Sequence, residues 1–133
     1  MPTTFSSILN SILVGLPSAT YDASLSPVVF DTNQVTRAAF DVTVTSFTGG
    51  TSPSIQFVIE RLGLADGLWY SVLSTTISSA SNQSWDLGPG FPATAPPNGV
   101  SHAVFTTQGR LRWAFGGTVA PTAVTFSASL IGR

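Results

Sequence analysis

Cysteine and lysine are absent from this chain of 133 residues, and histidine occurs only once. Without cysteine there is no disulfide, no thiolate zinc site and no cysteine nucleophile. Charge is scarce as well: 8% of residues, five arginines against five aspartates and one glutamate, for a formal net charge of −1. Binding driven by phosphate contacts needs a basic patch, so no nucleic-acid partner is expected. No run approaches the roughly 20 apolar residues that a spanning helix requires, so no membrane segment is expected either. The first basic residue is Arg37, which leaves the start of the chain without the basic region of a secretory signal. What is abundant argues for a folded core. Hydrophobic residues make up 43% of the chain and aromatics 11%, a composition unlike that of disordered segments. The length suits one domain.

The chain divides by its periodicity. Residues 1–19 are expected to be an N-terminal arm or short amphipathic helix. Phe5, Ile8, Leu9, Ile12, Leu13 and Leu16 follow the three-and-four spacing of a helical face, with Thr3 or Thr4 as N-cap and Gly15–Pro17 as a stop. Such a face either covers one end of the domain or docks on a neighbouring subunit. From residue 20 to 133 the period is two, which predicts a β-sandwich domain.

Val28–Phe30, Arg37–Phe47, Ile55–Leu62, Leu68–Ile77, Ala103–Thr107, Leu111–Phe115 and Ala123–Ile131 read as strands. Phe40, Val42 and Val44 alternate with Asp41, Thr43 and Thr45. Ile55, Phe57 and Ile59 face inward, as do Val124, Phe126, Ala128 and Leu130. Gly49-Gly50-Thr51-Ser52-Pro53 suggests a hairpin that pairs Val42 with Phe57, and a second hairpin sets Trp113 opposite Ala128. Arg110 and Arg112 then point outward together. Asp66-Gly67 marks a tight hairpin turn. Seven or eight strands with regular turns predict an all-β fold, an antiparallel β-sandwich or jelly roll.

Residues 78–100, SSASNQSWDLGPGFPATAPPNGV, read as one long proline-rich loop, because four prolines and three glycines oppose helix and central strand. Trp85, Leu87 and Phe91 are its apolar anchors. They either fold back on the sandwich or contact another subunit or a ligand. Trp69 and Tyr70, beside the Asp-Gly turn, are candidates for stacking on a ligand.

Catalytic patterns are weak. His102 beside Ser101 lacks the Gly-x-Ser-x-Gly elbow of a serine hydrolase. Carboxylate pairs such as Glu60 with Asp41 or Asp66 carry no signal alone. No metal-ligand spacing and no phosphate-cradling loop occurs. The expectation is a non-enzymatic protein that needs no cofactor and no metal. Serine and threonine together form roughly a quarter of the chain and fall at outward strand positions. Such surfaces cost less to desolvate than charged ones and suit large protein contacts or sugars. Low charge and lysine-free edges favour a subunit within an assembly.

Two stretches carry a resemblance. Phe40 to Thr45 through Gly49-Gly50-Thr51-Ser52-Pro53 to Phe57-Val58-Ile59-Glu60, and Arg110 to Trp113 through Gly116-Gly117-Thr118 and Pro121 to Phe126–Arg133, resemble minor virion proteins of tailed bacteriophages, the capsid decoration type. The resemblance covers roughly residues 37–133. It implies a β-sandwich without catalysis or cofactor, on the outer surface of the virion head. It implies the major capsid protein and further copies of the chain, as a homotrimer, as partners. Phe5, Ile8, Leu9, Ile12, Leu13, Trp85 and Phe91 are then the candidate capsid or subunit contacts. The alternative is a receptor- or glycan-binding module of a phage tail or head fibre that uses Trp69 and Tyr70.

Overall fold

A computed structural model of the chain describes residues 11–32, 35, 37–88, 100–101 and 106–132. Among the described residues nine strands lie in two sheets. The first sheet has the order β1 (Ser11–Tyr21), β9 (Ala123–Gly132), β3 (Ala38–Thr48), β6 (Ser81–Leu87) and β7 (Val100–Ser101). The second has the order β2 (Val28–Asp31), β8 (Gln108–Gly116), β4 (Ser54–Leu62) and β5 (Trp69–Ile77). Every pairing is antiparallel except the two-residue contact of β7 with β6.

The connectivity is that of one long hairpin rolled over a core. β4 pairs with β5 at its tip, β3 with β6, β2 with β8, and β1 with β9 at its open end. Rolling brings β9 against β3 and β8 against β4, which closes the two sheets. The strand pattern predicts a sandwich or a jelly roll, and the pairing is that of a jelly roll.

Alternation is obeyed where it was clearest. Along β9 every second residue is buried, and along β3 Phe40, Val42 and Val44 are buried while Asp41, Thr43 and Thr45 are exposed. Ile55, Phe57 and Ile59 of β4 are fully buried. The inner faces meet along an aromatic seam. Trp85 stacks on Phe40 with ring centroids 5.7 Å apart, and Phe40 meets Phe57 edge-on at 5.8 Å. Phe57 meets Phe126 at 5.1 Å, and Phe126 contacts both Trp113 at 5.4 Å and Tyr21 at 4.5 Å. These T-shaped and offset contacts are the arrangements that ring quadrupoles favour. The polar tips are also satisfied: the Trp113 indole N–H donates to the Asp22 carbonyl at 2.9 Å, and the Tyr21 hydroxyl donates to the Pro17 carbonyl at 2.6 Å.

Three expectations are corrected. First, residues 11–17 are strand, not helix, and β1 belongs to the sandwich instead of an arm; residues 1–10 lie outside the described residues. Register shifts between Ile12 and Val14 and between Leu16 and Ala19 break the period of two, so the leucine spacing imitates a helical face. Pro17 is tolerated because β1 is an edge strand. Second, residues 81–87 of the supposed loop are β6, paired with β3 along its whole length. Third, β3 with β4 and β8 with β9 are not hairpins: Val42 pairs with Gln83 and Ala128, while Trp113 pairs with Phe57. Alternation identifies the buried face, but two such faces can meet across a core as well as side by side.

The two glycine-rich crossovers are instead tied to each other. Thr51 N–H donates to the Val119 carbonyl at 2.9 Å, Val119 N–H donates back at 3.1 Å, and Thr122 N–H donates to Thr48 at 2.9 Å. Gly50 is required here: its φ is +83°, and an added Cβ would lie 2.7 Å from the Val119 carbonyl oxygen.

Phe126 is fully buried at the centre of the seam. Replacing it with alanine should cost about 3–5 kcal/mol, a large part of the stability of a domain this size. Urea unfolding should show this as a lower midpoint with an unchanged slope.

Candidate functional site: the two outer faces and the β4–β5 hairpin

Each sheet has one face turned away from the core, and the two faces differ in chemistry. On the first sheet, the rows across the strands run Gly15–Ser129–Asp41–Ser84 and Ser127–Thr43–Asn82. Small hydroxyl and amide groups dominate because strand positions alternate inside and outside. The Ser84 hydroxyl donates to Asp41 Oδ1 at 2.6 Å, and the Thr20 and Thr125 hydroxyls lie 2.8 Å apart. Two shallow depressions share Asp41 and Thr43. One, of about 300 Å³, reaches Asn82 and Ser84; the other, of about 130 Å³, reaches Ser127 and Ser129.

The outer face of the second sheet gathers charge. One row runs Val29–Arg110–Glu60–Ser71, and the next runs Arg112–Val58–Ser74. Arg110 and Arg112 do point outward together. Glu60 Oε1 accepts from Arg110 Nε at 2.6 Å and from Arg112 Nε at 3.0 Å. Burial raises the carboxyl's pKa, but the two guanidinium hydrogen bonds and charges outweigh it, so Glu60 titrates below its ordinary value of 4.5. Arg110 also lies over the Trp69 ring, 4.5 Å from its centroid.

The β4–β5 hairpin turn lies at one end of this sheet, beyond the pair Leu62 and Trp69. It is held by Gly63 N–H to the Leu68 carbonyl at 2.7 Å, Gly67 N–H to Gly63 at 2.9 Å, and Leu68 N–H to Asp66 Oδ1 at 3.0 Å. Gly67 has the positive φ, +72°, that the Asp-Gly step predicts. The Tyr70 hydroxyl donates to Asp66 Oδ2. That hydrogen bond is the leading cause lowering the pKa of Asp66 and raising that of Tyr70. Leu64 and Leu68 of this turn are 70% and 59% exposed, and Tyr70 is 42% exposed. Three of the six exposed large hydrophobics among the described residues therefore sit on one hydrogen-bonded hairpin.

The candidate contact residues fall into different places. Phe5, Ile8, Leu9 and Phe91, together with His102, lie outside the described residues. Ile12 is 74% exposed at the start of β1, while Leu13 packs against the core. Of the two places expected for Trp85, the structure shows the inner one, and the capsid or subunit contact is corrected: it is 2% exposed on β6, on the same face as Leu87, and stacked on Phe40. Trp69 is half-buried beneath Arg110, and Tyr70 is open to solvent. Leu64 and Leu68 were not singled out from sequence, although two leucines flanking an Asp-Gly turn signal an exposed apolar tip. Among the described residues no group of three or more histidine, aspartate or glutamate side chains is placed to hold a metal ion. No protein-family model matches the chain, and no curated protein is significantly similar to it.

The Glu60 cluster generates a pH prediction. A carboxyl whose pKa is lower in the folded than in the unfolded chain contributes stability above the unfolded value and loses it as pH falls through the folded one. Stability should therefore decline as pH drops below about 4.5. Glu60→Gln should flatten that part of the decline and cost about 1–2 kcal/mol at pH 7. Urea midpoints at pH 7, 5, 4 and 3 for both proteins test it.

Proposed function

We propose that this chain is a structural subunit of a virus particle, decorating the head of a tailed phage and stabilising the shell by bridging capsomers. One observation carries the reading: the outer face of the first sheet, broad and shallow, with serine, threonine and asparagine over most of its rows and two aspartates, Asp41 and Asp86, on its strands. Such a face can be covered by protein over a large area at low desolvation cost, because few charges must leave water. The jelly roll is compatible, being common among viral coat and lectin domains, although a fold alone carries no function. In this reading the partners are the major capsid protein and further copies of the chain, gathered as trimers on the virion surface. Residues 1–10, with Phe5, Ile8 and Leu9, are the docking arm, and exposed Ile12 continues it.

Quantitative mass spectrometry of purified virions should find the protein at hundreds of copies per particle. Its absence from the particle would remove the reading. Deleting residues 1–10 spares β1, so the truncated protein should keep its circular dichroism spectrum and melting temperature while losing attachment to purified shells. Normal attachment would sink the arm's role.

A glycan- or receptor-binding module is favoured by a different observation, the exposed Tyr70 on a hydrogen-bonded hairpin beside Leu64 and Leu68. Trp85 and Trp113 are buried in the core, so Trp69 is the tryptophan placed to report a ligand there. In this second reading, host cell-wall sugars shift tryptophan emission and Trp69→Phe abolishes the shift. A silent response to a broad sugar panel counts against it.

A further inference from the structure

Of the five aspartates in the chain, only Asp66 is followed by glycine; the others precede Ala23, Thr32, Val42 and Leu87. A glycine has no Cβ to keep its nitrogen away from the preceding side-chain carboxyl, so this step is the one most open to cyclisation. Asp66 and Gly67 are both exposed, and a Cβ built on Gly67 would meet nothing within 4 Å. The turn's own hydrogen bonds nevertheless occupy every group that the reaction needs. Asp66 Oδ1 accepts from Leu68 N–H at 3.0 Å, and Oδ2 accepts from the Tyr70 hydroxyl. Gly67 N–H donates to the Gly63 carbonyl at 2.9 Å. Gly63 makes room for the clamp: a Cβ there would crowd the Asp66 carboxylate and lie 2.7 Å from the Tyr70 ring.

We propose that Asp66-Gly67 is a site of spontaneous isoaspartate formation and that the Tyr70 hydroxyl holds the reaction back. The Gly67 nitrogen bonds to Asp66 Cγ, and the carboxyl hydroxyl leaves as water with the proton from that nitrogen. The product is a five-membered succinimide. Water then adds at one of its two carbonyls: opening at Cγ restores aspartate, and opening at the main-chain carbonyl gives isoaspartate. Cyclisation needs a neutral carboxyl, whose hydroxyl can leave, and it needs Cγ turned toward the Gly67 nitrogen. Tyr70 opposes both. Its hydrogen bond is the leading cause that keeps Asp66 ionised to lower pH, and it pins the carboxylate in place. Tyr70 itself titrates above its ordinary 10.0, so the donor keeps its proton at neutral pH. Isoaspartate routes the main chain through Cγ, adding one carbon and moving the carboxylate away from Leu68 N–H and Tyr70. The turn that presents Leu64 and Leu68 is then rebuilt. This chemistry depends on the turn alone and holds for a capsid subunit or a glycan binder.

The test ages the full chain at neutral pH beside a synthetic peptide of residues 62–70 and counts the residue-66 isomers by mass spectrometry. Trypsin alone leaves Asp66 in one fragment with Asn98-Gly99, whose deamidation also yields isoaspartate, so a second cut after aromatic residues separates them. Wild type should isomerise more slowly than the peptide. Y70F should accelerate the reaction about threefold to tenfold, the equilibrium worth of one hydrogen bond. G63A keeps the hydroxyl but fills the space that the carboxylate and ring occupy, and it should accelerate the reaction too. Hydrogen exchange at the Gly63 and Gly67 amides should match between Y70F and wild type, which separates loss of the hydroxyl from loosening of the turn. Equal rates in wild type and peptide, no acceleration in Y70F or G63A, or faster exchange at those amides in Y70F would overturn the hydroxyl's role. Aspartate unchanged at residue 66 in Y70F and in the peptide would overturn the site itself.

Discussion

The contact between Phe57 and Phe126 is the one on which the rest of the molecule depends. These two rings come from strands in different sheets, and both are fully buried. Around them Phe40, Trp85, Trp113 and Tyr21 extend the seam, so six strands place an aromatic ring in it, and Phe40 and Trp85 come from adjacent ones. Between the layers of this sandwich the chain crosses only at its connections, and no disulfide adds a link. Dispersion and apolar burial along the seam must hold the sheets together. Everything on the outer faces is positioned by that internal lamination.

The rolled-hairpin topology explains which features were legible in the sequence. Faces were readable: Phe40, Val42 and Val44, or Val124 through Leu130, are buried where the alternation puts them. The Asp66-Gly67 turn was readable because its backbone requirement is local. Partners were not. β1 and β9 pair across more than a hundred residues, and no local signal encodes such a pairing. Both glycine-rich stretches suggested hairpins, yet they carry the chain from one sheet to the other. The hydrogen bonds they would have made within a hairpin are made between the two crossovers.

The candidate surfaces were partly legible for the same reason. The outward direction of Arg110 and Arg112 follows from period two alone. Their convergence on Glu60 does not, because it needs β8 beside β4. The strand that carries Trp85 was missed because the prolines that follow it dominate the local composition and hide the alternation of Ser81 to Leu87. The chain thus keeps its chemistry segregated: aromatics in the seam, a charged cluster on one outer face, and hydroxyl groups across most of the other.

Chain entry and exit points also set how the sandwich bears load. Ser11 and Gly132 face each other on neighbouring antiparallel strands, so the chain enters and leaves the sheet at one end, about 5 Å apart. Tension applied between those two points would peel β1 from β9 one bonded pair at a time, the weakest way to load a ladder. Tension between Ser11 and the far end of the same sheet would instead act along the strands and shear the whole β1–β9 ladder at once. A subunit pulled between Ser11 and its opposite end therefore resists more force than one pulled between Ser11 and Gly132.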